Sequence, residues 1–226
     1  MLWDISFGPE YDLTRAPAQR LLLGWIRAGQ VIGLHMGTPC TSFSRIRGLG
    51  AGPGRLRSTN EPLGLGTLER PEDKAALDIG NKLLTVSCRL FLACIHACVP
   101  VSLENPATSI LWLTPQIQNL QRRRIVHLVT PEFCMWGKAW RKSTKFLYCH
   151  VDLAALGERR CLGAPRGCCA RTGHCHIRLF GRSPGGQFWT KVAEPYPNPL
   201  CNQICACFAN SVVRSRSSRF SKFING

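Results

Sequence analysis

The sequence predicts an α/β fold built on a mostly parallel, doubly wound sheet. Short apolar runs of strand length alternate with longer segments in which apolar residues recur at helical spacing. The 226 residues, 45% of them hydrophobic and 19% charged, suffice for one such domain and a small further region. We divide the chain into an α/β domain at 1–150, a Cys/His-rich basic subregion with a closing helix at 151–213, and a basic tail at 214–226.

The predicted elements follow one another at the intervals of strand–helix–strand units. The expected strands lie at 2–5, 31–36, 99–103, 125–129 and 145–148, and the expected helices at 16–28, 71–98, 117–124 and 200–213. Gly29 fits the end of the first helix and Pro71 the start of the second. The Gly-, Arg-, Pro- and Ser-rich stretch 37–68 predicts a long loop, and long loops inside domains are usually functional. The apolar window 83–101 contains Arg89 and His96, which favours a buried helix over a membrane span.

The charge balance predicts a polyanionic partner. Lys and Arg number 29 against 13 acidic residues, a formal net charge of +16, so DNA is the expected partner and a membrane is not. A soluble basic surface or a basic tail is the alternative. Residues 1–10 lack a basic region followed by an apolar run, which predicts a nuclear or cytoplasmic rather than a secreted protein. The 13 cysteines are then interpreted as core residues, metal ligands or a nucleophile rather than as disulfides.

Two polar motifs follow two expected strands. Gly37-Thr38-Pro39-Cys40 comes directly after the strand at 31–36, and Glu104-Asn105-Pro106 after the strand at 99–103. The intervening helix makes these strands parallel, so both motifs should emerge at the sheet edge where open α/β sheets bind ligands. A thiol and a carboxylate in one crevice indicate nucleophilic catalysis assisted by an acid. The alternatives are a small buried side chain for Cys40 and a surface charge for Glu104.

These motifs resemble the two catalytic motifs of the cytosine-5 DNA methyltransferase family. The Pro-Cys-x-x-Phe-Ser string at 39–44 and the Glu-Asn pair at 104–105 carry the resemblance, which covers roughly residues 1–150. It implies a class I methyltransferase-like, Rossmann-like fold. It also implies that the Cys40 thiolate attacks carbon 6 of a cytosine, that Glu104 holds or protonates ring nitrogen 3, and that S-adenosylmethionine supplies the methyl group for carbon 5. The base would be flipped out of the duplex.

The resemblance assigns further residues around the two motifs. Asp12 lies where an acidic residue of the family contacts the cofactor adenine, Asp4 lies near one that binds ribose, and Pro39 completes the expected cofactor site. Arg141 is the candidate for an arginine that orients the base. The basic run at 121–124 is its rival, and a solvated helix end is an alternative interpretation of that run. The expected nucleic-acid contacts are Ser44, Arg45, Arg47, Asn105 and Lys142.

The chain also departs from the family's pattern. The first strand and the glycine-bearing loop that hold the methionine end of the cofactor have no counterpart, and Pro106 stands where the family usually has valine. A truncated, divergent copy, such as one borne by a mobile element, would look like this. The departures leave two functions open: an active methyltransferase, and a catalytically inactive nucleic-acid-binding remnant. A thiol-dependent hydrolase is disfavoured, because His35 on the preceding strand is not placed beside Cys40.

Cysteines and histidines cluster at 161–176. Thiolate and imidazole are zinc ligands, and four in a tetrahedral array make a structural site. We predict Cys161, Cys169 and His176 as ligands, with Cys149 or Cys134 as the fourth. A flexible loop with free thiols is the alternative. If zinc is present, a third hypothesis is a zinc-stabilised interaction protein whose α/β core has only a structural role.

Overall fold

A computed structural model shows an α/β protein with a four-stranded, mixed and partly parallel sheet. The structure describes residues 1–45, 47, 54–163 and 167–224, with side chains as far as residue 214; residues 46 and 48–53 of the predicted loop and the end of the basic tail lie outside the described residues. The strand order is β1-β2-β4-β3. The strands are β1 (Leu34–Gly37), β2 (Val101–Pro106), β3 (His127–Val129) and β4 (Thr144–Cys149).

Among the described residues, four of the five helices overlap the segments in which apolar periodicity predicts a helix. The five are α1 (Ala16–Arg27), α2 (Pro71–His96), α3 (Pro115–Gln121), α4 (Trp189–Val192) and α5 (Asn198–Ile224), and the short α4 was not predicted. A proline lies in the first turn of each of the first three, where its missing N–H is not needed. The helix expected at 200–213 is longer than predicted: it begins at Asn198 and its backbone continues through the basic tail to Ile224.

The predicted strand at 2–5 is wrong. The chain there forms a 3-10 turn, Ile5–Phe7, and the carboxylate of Asp4 accepts the backbone N–H of Ser6 at 2.8 Å. Aspartate favours such local turns because its short side chain can bond to the backbone two residues on. The local hydrogen bond from Ser6 stabilises a turn here, in place of the inter-strand hydrogen bonds that a β-strand needs.

The chain forms two compact units. The first unit comprises Met1–His127 and Leu147–His150, and the second comprises Leu128–Phe146 and Val151–Gly226. Residues 128–146 thus pack with the later part of the chain, and the domain division at residue 150 stays a prediction. One cause of this packing is Glu132, whose carboxylate accepts the backbone N–H of Cys161 at 2.6 Å.

The core of the first unit lies between α2, α1 and the parallel strands. Helix α2 contributes the fully buried Leu84, Phe91 and Cys94, and the strand residues 101–105 are all buried. The helix expected at 71–98 is confirmed as α2, which ends at His96, and most of its buried residues lie between 84 and 95. Among the described residues, no helix is long and apolar enough to cross a membrane.

The second unit has an aromatic core and a cysteine-rich cluster. The rings of Phe133 and Phe146 each contact Tyr196 edge to face, with centroids 5.9 and 6.1 Å apart. Leu153, Leu156 and Leu200 are also fully buried. Cys134, Cys161 and Cys169 form a separate buried cluster.

Candidate functional site

The two motifs predicted to carry chemistry meet at one end of the β1–β2 pair. These strands are parallel, and Gly37 lies opposite Glu104. The Asn105 side-chain amide donates to the Thr38 carbonyl at 2.6 Å, which ties one motif to the other. Glu104 is in the last part of β2 rather than beyond it, and it is only 8% exposed. The prediction that both motifs lie at the same sheet edge is confirmed; the convergence of the Cys40 thiol and the Glu104 carboxylate on one substrate stays a prediction.

Cys40 begins a tight turn over the end of the sheet. It is half-buried and precedes the 3-10 turn Thr41–Phe43, whose Phe43 N–H donates to the Cys40 carbonyl at 2.9 Å. Phe43 is completely buried and anchors the turn in the core of the first unit. The backbone on which the thiol is carried is therefore fixed by packing.

Arg57 supports this turn from below. Its guanidinium lies 3.8 Å from the centroid of the Phe43 ring and donates to the Ser42 carbonyl at 3.1 Å. It also donates to the Pro62 carbonyl at 2.9 Å and to Asn81 Oδ1 at 2.8 Å. Arg57 is 1% exposed, and its burial lowers the pKa of the guanidinium to about 10. The donors of this guanidinium are therefore used inside the protein.

Gly80 of α2 makes room for the turn. A Cβ at this position would collide with the Ser42 hydroxyl and lie 2.8 Å from Arg57 Nη2. The only sequence signal was a glycine inside a helix, where glycine normally costs stability and so marks a close approach. Gly80 and Arg57 are the supporting residues that sequence reasoning missed.

The expected phosphate-binding residues near Cys40 differ in what they can do. Arg47 donates to the Gly54 carbonyl at 3.0 Å and pairs with Asp73 at 2.9 Å, and both side chains are largely buried. Arg45 is exposed and Ser44 half-buried. Of this group, Arg45 is the arginine whose charge the solvent reaches most readily.

A cavity of about 500 Å³ runs beside β1 in the first unit. Residues 30–39 form one wall, and the opposing lining includes Trp3, Leu13 and Trp25. Pro39, an expected cofactor contact, is among the lining residues. The volume falls in the range of about 300–1,000 Å³ of small-molecule sites.

The two expected cofactor carboxylates, Asp4 and Asp12, stabilise local turns beside this cavity. The Asp12 carboxylate accepts both the N–H and the hydroxyl of Thr14 at 2.8 Å, and these bonds lower its pKa. The bonds from Ser6 lower the pKa of Asp4 in the same way. Asp4 thus follows the cavity-lining Trp3 in sequence, and Asp12 precedes the cavity-lining Leu13. Each carboxylate accepts hydrogen bonds within its own turn.

His35 lies on β1, on the cavity wall. Its Nδ1 is 2.8 Å from the hydroxyl of Ser102, the residue opposite it on β2. Although solvent in the cavity reaches the ring, the surrounding protein desolvates the imidazolium and lowers the pKa of His35 to about 4. A neutral imidazole at neutral pH leaves this wall uncharged.

Arg141 and Lys142 belong to the second unit, where both are engaged. Arg141 Nε donates to Glu132 Oε1 at 2.6 Å, and this bond raises the pKa of the arginine. Lys142 Nζ donates to the Ala193 carbonyl at 2.9 Å and lies 4.8 Å from the centroid of the Phe133 ring. The structure thus gathers Cys40, Glu104 and Asn105 in one compact unit, and Arg141 and Lys142 in the other.

The second unit contains a four-residue cluster that could hold a metal ion. Its members are Cys134, Cys161, Cys169 and His176, and one ligand atom from each lies within 4.8 Å of all the others. The three cysteines are at most 4% exposed, and His176 is half-buried. A tetrahedral zinc ion with its usual bond lengths separates its ligand atoms by about 3.3–3.8 Å. Cys161 Sγ and His176 Nε2, 3.5 Å apart, match that separation.

Hydrogen bonds around the cluster orient its ligands. His176 Nδ1 lies 2.8 Å from the Gly167 carbonyl, so a proton on Nδ1 directs the Nε2 lone pair at the thiols. The Ala170 N–H lies 3.4 Å from Cys161 Sγ. Burial opposes ionisation of Cys169, but backbone N–H groups of Arg171 and Thr172 outweigh it and lower its pKa to about 6. By contrast, burial and the neighbouring Cys161 raise the pKa of Cys134 to about 12.

The predicted ligands Cys161, Cys169 and His176 are confirmed as members of this cluster. Of the two alternatives for the fourth position, the structure selects Cys134; Cys149 ends β4 in the first unit. Cys134 lies in the 3-10 turn Phe133–Trp136. Because this turn is far in sequence from 161–176, the sequence alone did not single out Cys134 as the fourth ligand.

Comparisons of the chain with protein-family models, curated proteins and solved structures give no match. The resemblance to cytosine-5 methyltransferases therefore depends on the motif residues and on the places that these residues occupy in the first unit.

Proposed function

We propose that this protein is a cytosine-5 methyltransferase-like enzyme of DNA, with a class I methyltransferase-like core and Cys40 as its nucleophile. The observation that carries the proposal is the register of β1 and β2. It sets Gly37 opposite Glu104 and allows Asn105 to hold Thr38, two residues before Cys40. A thiol and a carboxylic acid at the carboxyl ends of adjacent parallel strands are suitably placed for one ligand.

In the proposed reaction Cys40 loses its proton and its sulfur bonds to carbon 6 of the cytosine. Glu104 holds nitrogen 3 by a hydrogen bond, which its burial shields from water. Electron density then moves to carbon 5, which would bond to the methyl carbon supplied by S-adenosylmethionine as the methyl–sulfonium bond breaks and S-adenosylhomocysteine leaves. Loss of the carbon 5 proton to a base and cleavage of the carbon–sulfur bond restore the aromatic ring and the Cys40 thiolate. The fixed turn 41–43 and Arg57 position the sulfur and do not contact the base.

The cavity beside β1 fits part of the expected cofactor. S-adenosylmethionine would supply the methyl group. Trp3, Trp25 and Pro39 offer apolar and aromatic surface to an adenosine. Among the described lining residues the polar side chains are neutral at pH 7, since His35 has a pKa of about 4 and Gln30, Thr38 and Ser87 carry no charge. The aromatic and apolar part of the lining therefore suits the adenosine half of the cofactor.

The charge distribution supports DNA as the partner. The second unit carries 15 of the 29 Lys and Arg residues but 4 of the 13 acidic residues. An excess of positive charge of this size favours binding to the phosphate backbone without regard to sequence, with an affinity that falls as salt rises. In the first unit, exposed Arg45 adds charge next to the Cys40 turn.

A second candidate function follows from the metal cluster: a zinc-stabilised nucleic-acid-binding protein without catalysis. Three thiols and one imidazole match zinc better than magnesium or calcium, which prefer oxygen. Four protein ligands leave no position open for substrate, so such a zinc would be structural. It would fix the basic segments around 159–160 and 171 while the α/β core served only as a scaffold.

Transfer of a labelled methyl group from S-adenosylmethionine to cytosine-containing DNA separates the two candidates. If the protein is the proposed enzyme, the labelled methyl group is transferred to DNA, and Cys40→Ser abolishes this transfer. Cys98→Ser is the matched control, because Cys98 is an exposed thiol of the same unit. If no methyl transfer occurs, calorimetry shows whether the protein binds S-adenosylmethionine at all. Asp12→Asn, which can retain the hydrogen bonds from Thr14, tests the expected contact with the cofactor adenine. Folded, DNA-binding protein without cofactor binding or transfer would contradict the enzyme and leave the second candidate.

A further inference from the structure

We propose that Cys168 and Cys175 form a dithiol modification site, which low-molecular-weight disulfides such as oxidised glutathione convert to an intramolecular disulfide. The two sulfur atoms are 3.4 Å apart. Cys168 is half-buried and Cys175 exposed, so a small reagent can reach the pair. Neither residue belongs to the metal cluster or to the proposed active site.

The backbone holds these cysteines directly opposite each other. They form an antiparallel bridge, flanked by a bond from the Cys169 N–H to the His174 carbonyl at 2.7 Å and one from the His176 N–H to the Gly167 carbonyl at 3.4 Å. This pattern makes Cys168 and Cys175 a non-hydrogen-bonded pair, the type with Cα atoms about 4.5 Å apart and the closer side chains. Disulfides need a Cα separation of about 4.4–6.8 Å. The backbone therefore need not move for the bond to form.

Alternation along the two strands separates the dithiol from the metal cluster. Successive residues of an extended chain point to opposite faces. Cys169 and His176 each follow a member of the pair, and they point to the cluster, where Cys169 is 4% exposed. Cys168 and Cys175 occupy the other face. One short hairpin thus carries two metal-type ligands on its inner face and two accessible thiols on its outer face.

The reaction balances with a disulfide as the only oxidant. The Cys175 thiolate attacks one sulfur of the reagent, forms a mixed disulfide and releases one thiol. Cys168 then loses its proton and attacks the Cys175 sulfur, which releases the second thiol. Two protein thiols are oxidised to one disulfide, the reagent disulfide is reduced to two thiols, and the two protons pass to those thiols.

A disulfide at this position would pin the hairpin that carries Cys169 and His176. Closing the loop restricts the open chain more than the folded hairpin. For this consequence the inference rests on the zinc site proposed above. The zinc-loaded protein should then release zinc to a chelator more slowly after oxidation, by a factor on the order of ten.

The test incubates the zinc-loaded full chain in glutathione buffers of graded redox ratio, followed by mass analysis of the intact protein and of its peptides. We expect loss of two hydrogens and a Cys168–Cys175 linkage. In Cys168→Ser we expect a glutathione adduct at Cys175, because the second thiol is gone. Cys98→Ser, which removes an exposed thiol outside the pair, should behave like the unmodified chain.

A linkage that involves Cys169 instead, or reduced Cys168 and Cys175 in buffer that oxidises other exposed cysteines, would overturn the dithiol. Zinc content and chelator release are measured on the same samples. A Cys168–Cys175 disulfide in protein that holds no zinc would uphold the dithiol and refute the zinc site, so the two failures are distinguishable.

Discussion

Arg57 stacks on Phe43, with the guanidinium carbon 3.8 Å from the ring centroid, beneath the turn that begins at Cys40. The arginine is fully buried and donates to acceptors from the turn, the following loop and α2. Arginine is suited to this place because its planar group can stack and bond in several directions at once. The position of the proposed nucleophile thus depends on a residue outside both motifs.

We therefore predict that Arg57→Lys destabilises the first unit. Lysine cannot stack as a plane or reach several acceptors together, so the free energy of unfolding should fall by about 2–4 kcal/mol. Urea denaturation measures the change. Arg55→Lys, at an exposed position two residues earlier, is the control and should lie within about 0.5 kcal/mol of the unmodified chain. Equal stability of both variants would show that the Arg57 contacts contribute nothing.

Gly80→Ala provides an independent test of the same packing. Alanine in a helix interior normally stabilises by about 1 kcal/mol relative to glycine. At position 80 the added Cβ would collide with Ser42 and crowd Arg57, so we expect a loss of about 1–3 kcal/mol instead. Gly24→Ala in α1, where nothing lies within 4 Å of the added atom, is the control and should be stabilising. Thermal denaturation measures both changes. A higher melting temperature for Gly80→Ala as well as for Gly24→Ala would contradict the prediction.

The sequence predicted much of the first unit and part of the metal cluster. Helices α1 and α2 have strong apolar periodicity and proline starts, and the parallel pair followed from one crossover helix. Cys134 and the burial of Arg57 were not predictable, because both depend on contacts between segments distant in sequence. The strand expected at 2–5 failed because the side chain of Asp4 offered the backbone a local partner.

For the metal cluster we predict one zinc ion per chain. Cys134→Ser should abolish zinc retention after gel filtration, because it removes one of the four ligands. Cys149→Ser is the matched control: it removes a fully buried cysteine that is not in the cluster, and zinc should be kept. Elemental analysis measures the zinc content of the two variants. Folded protein without metal, or equal zinc in both variants, would refute the assigned ligand set.

Glu132 should tune zinc affinity without touching the ion. Its carboxylate accepts the Cys161 N–H at 2.6 Å and the Arg141 guanidinium at 2.6 Å, and the Ser143 hydroxyl lies 3.2 Å away. An amide would turn one acceptor oxygen into a donor facing these donors. We therefore expect Glu132→Gln to weaken zinc binding about 10–100-fold in chelator competition.

Glu158→Gln is the control for Glu132→Gln, because Glu158 is exposed in the same unit. It changes the net charge by the same amount. Unchanged affinity in Glu132→Gln, or an equal loss in both variants, would show that these hydrogen bonds do not orient the Cys161 ligand.

The most direct test of the proposed chemistry is covalent trapping of Cys40 on DNA that contains 5-fluorocytosine, in the presence of S-adenosylmethionine. Fluorine replaces the hydrogen that must leave carbon 5, so the carbon–sulfur bond cannot be broken and the adduct should accumulate. We predict a denaturation-resistant protein–DNA complex whose linked peptide contains Cys40, which forms with Cys98→Ser and not with Cys40→Ser. Absence of the complex under conditions in which the folded protein binds both the DNA and the cofactor would contradict the account.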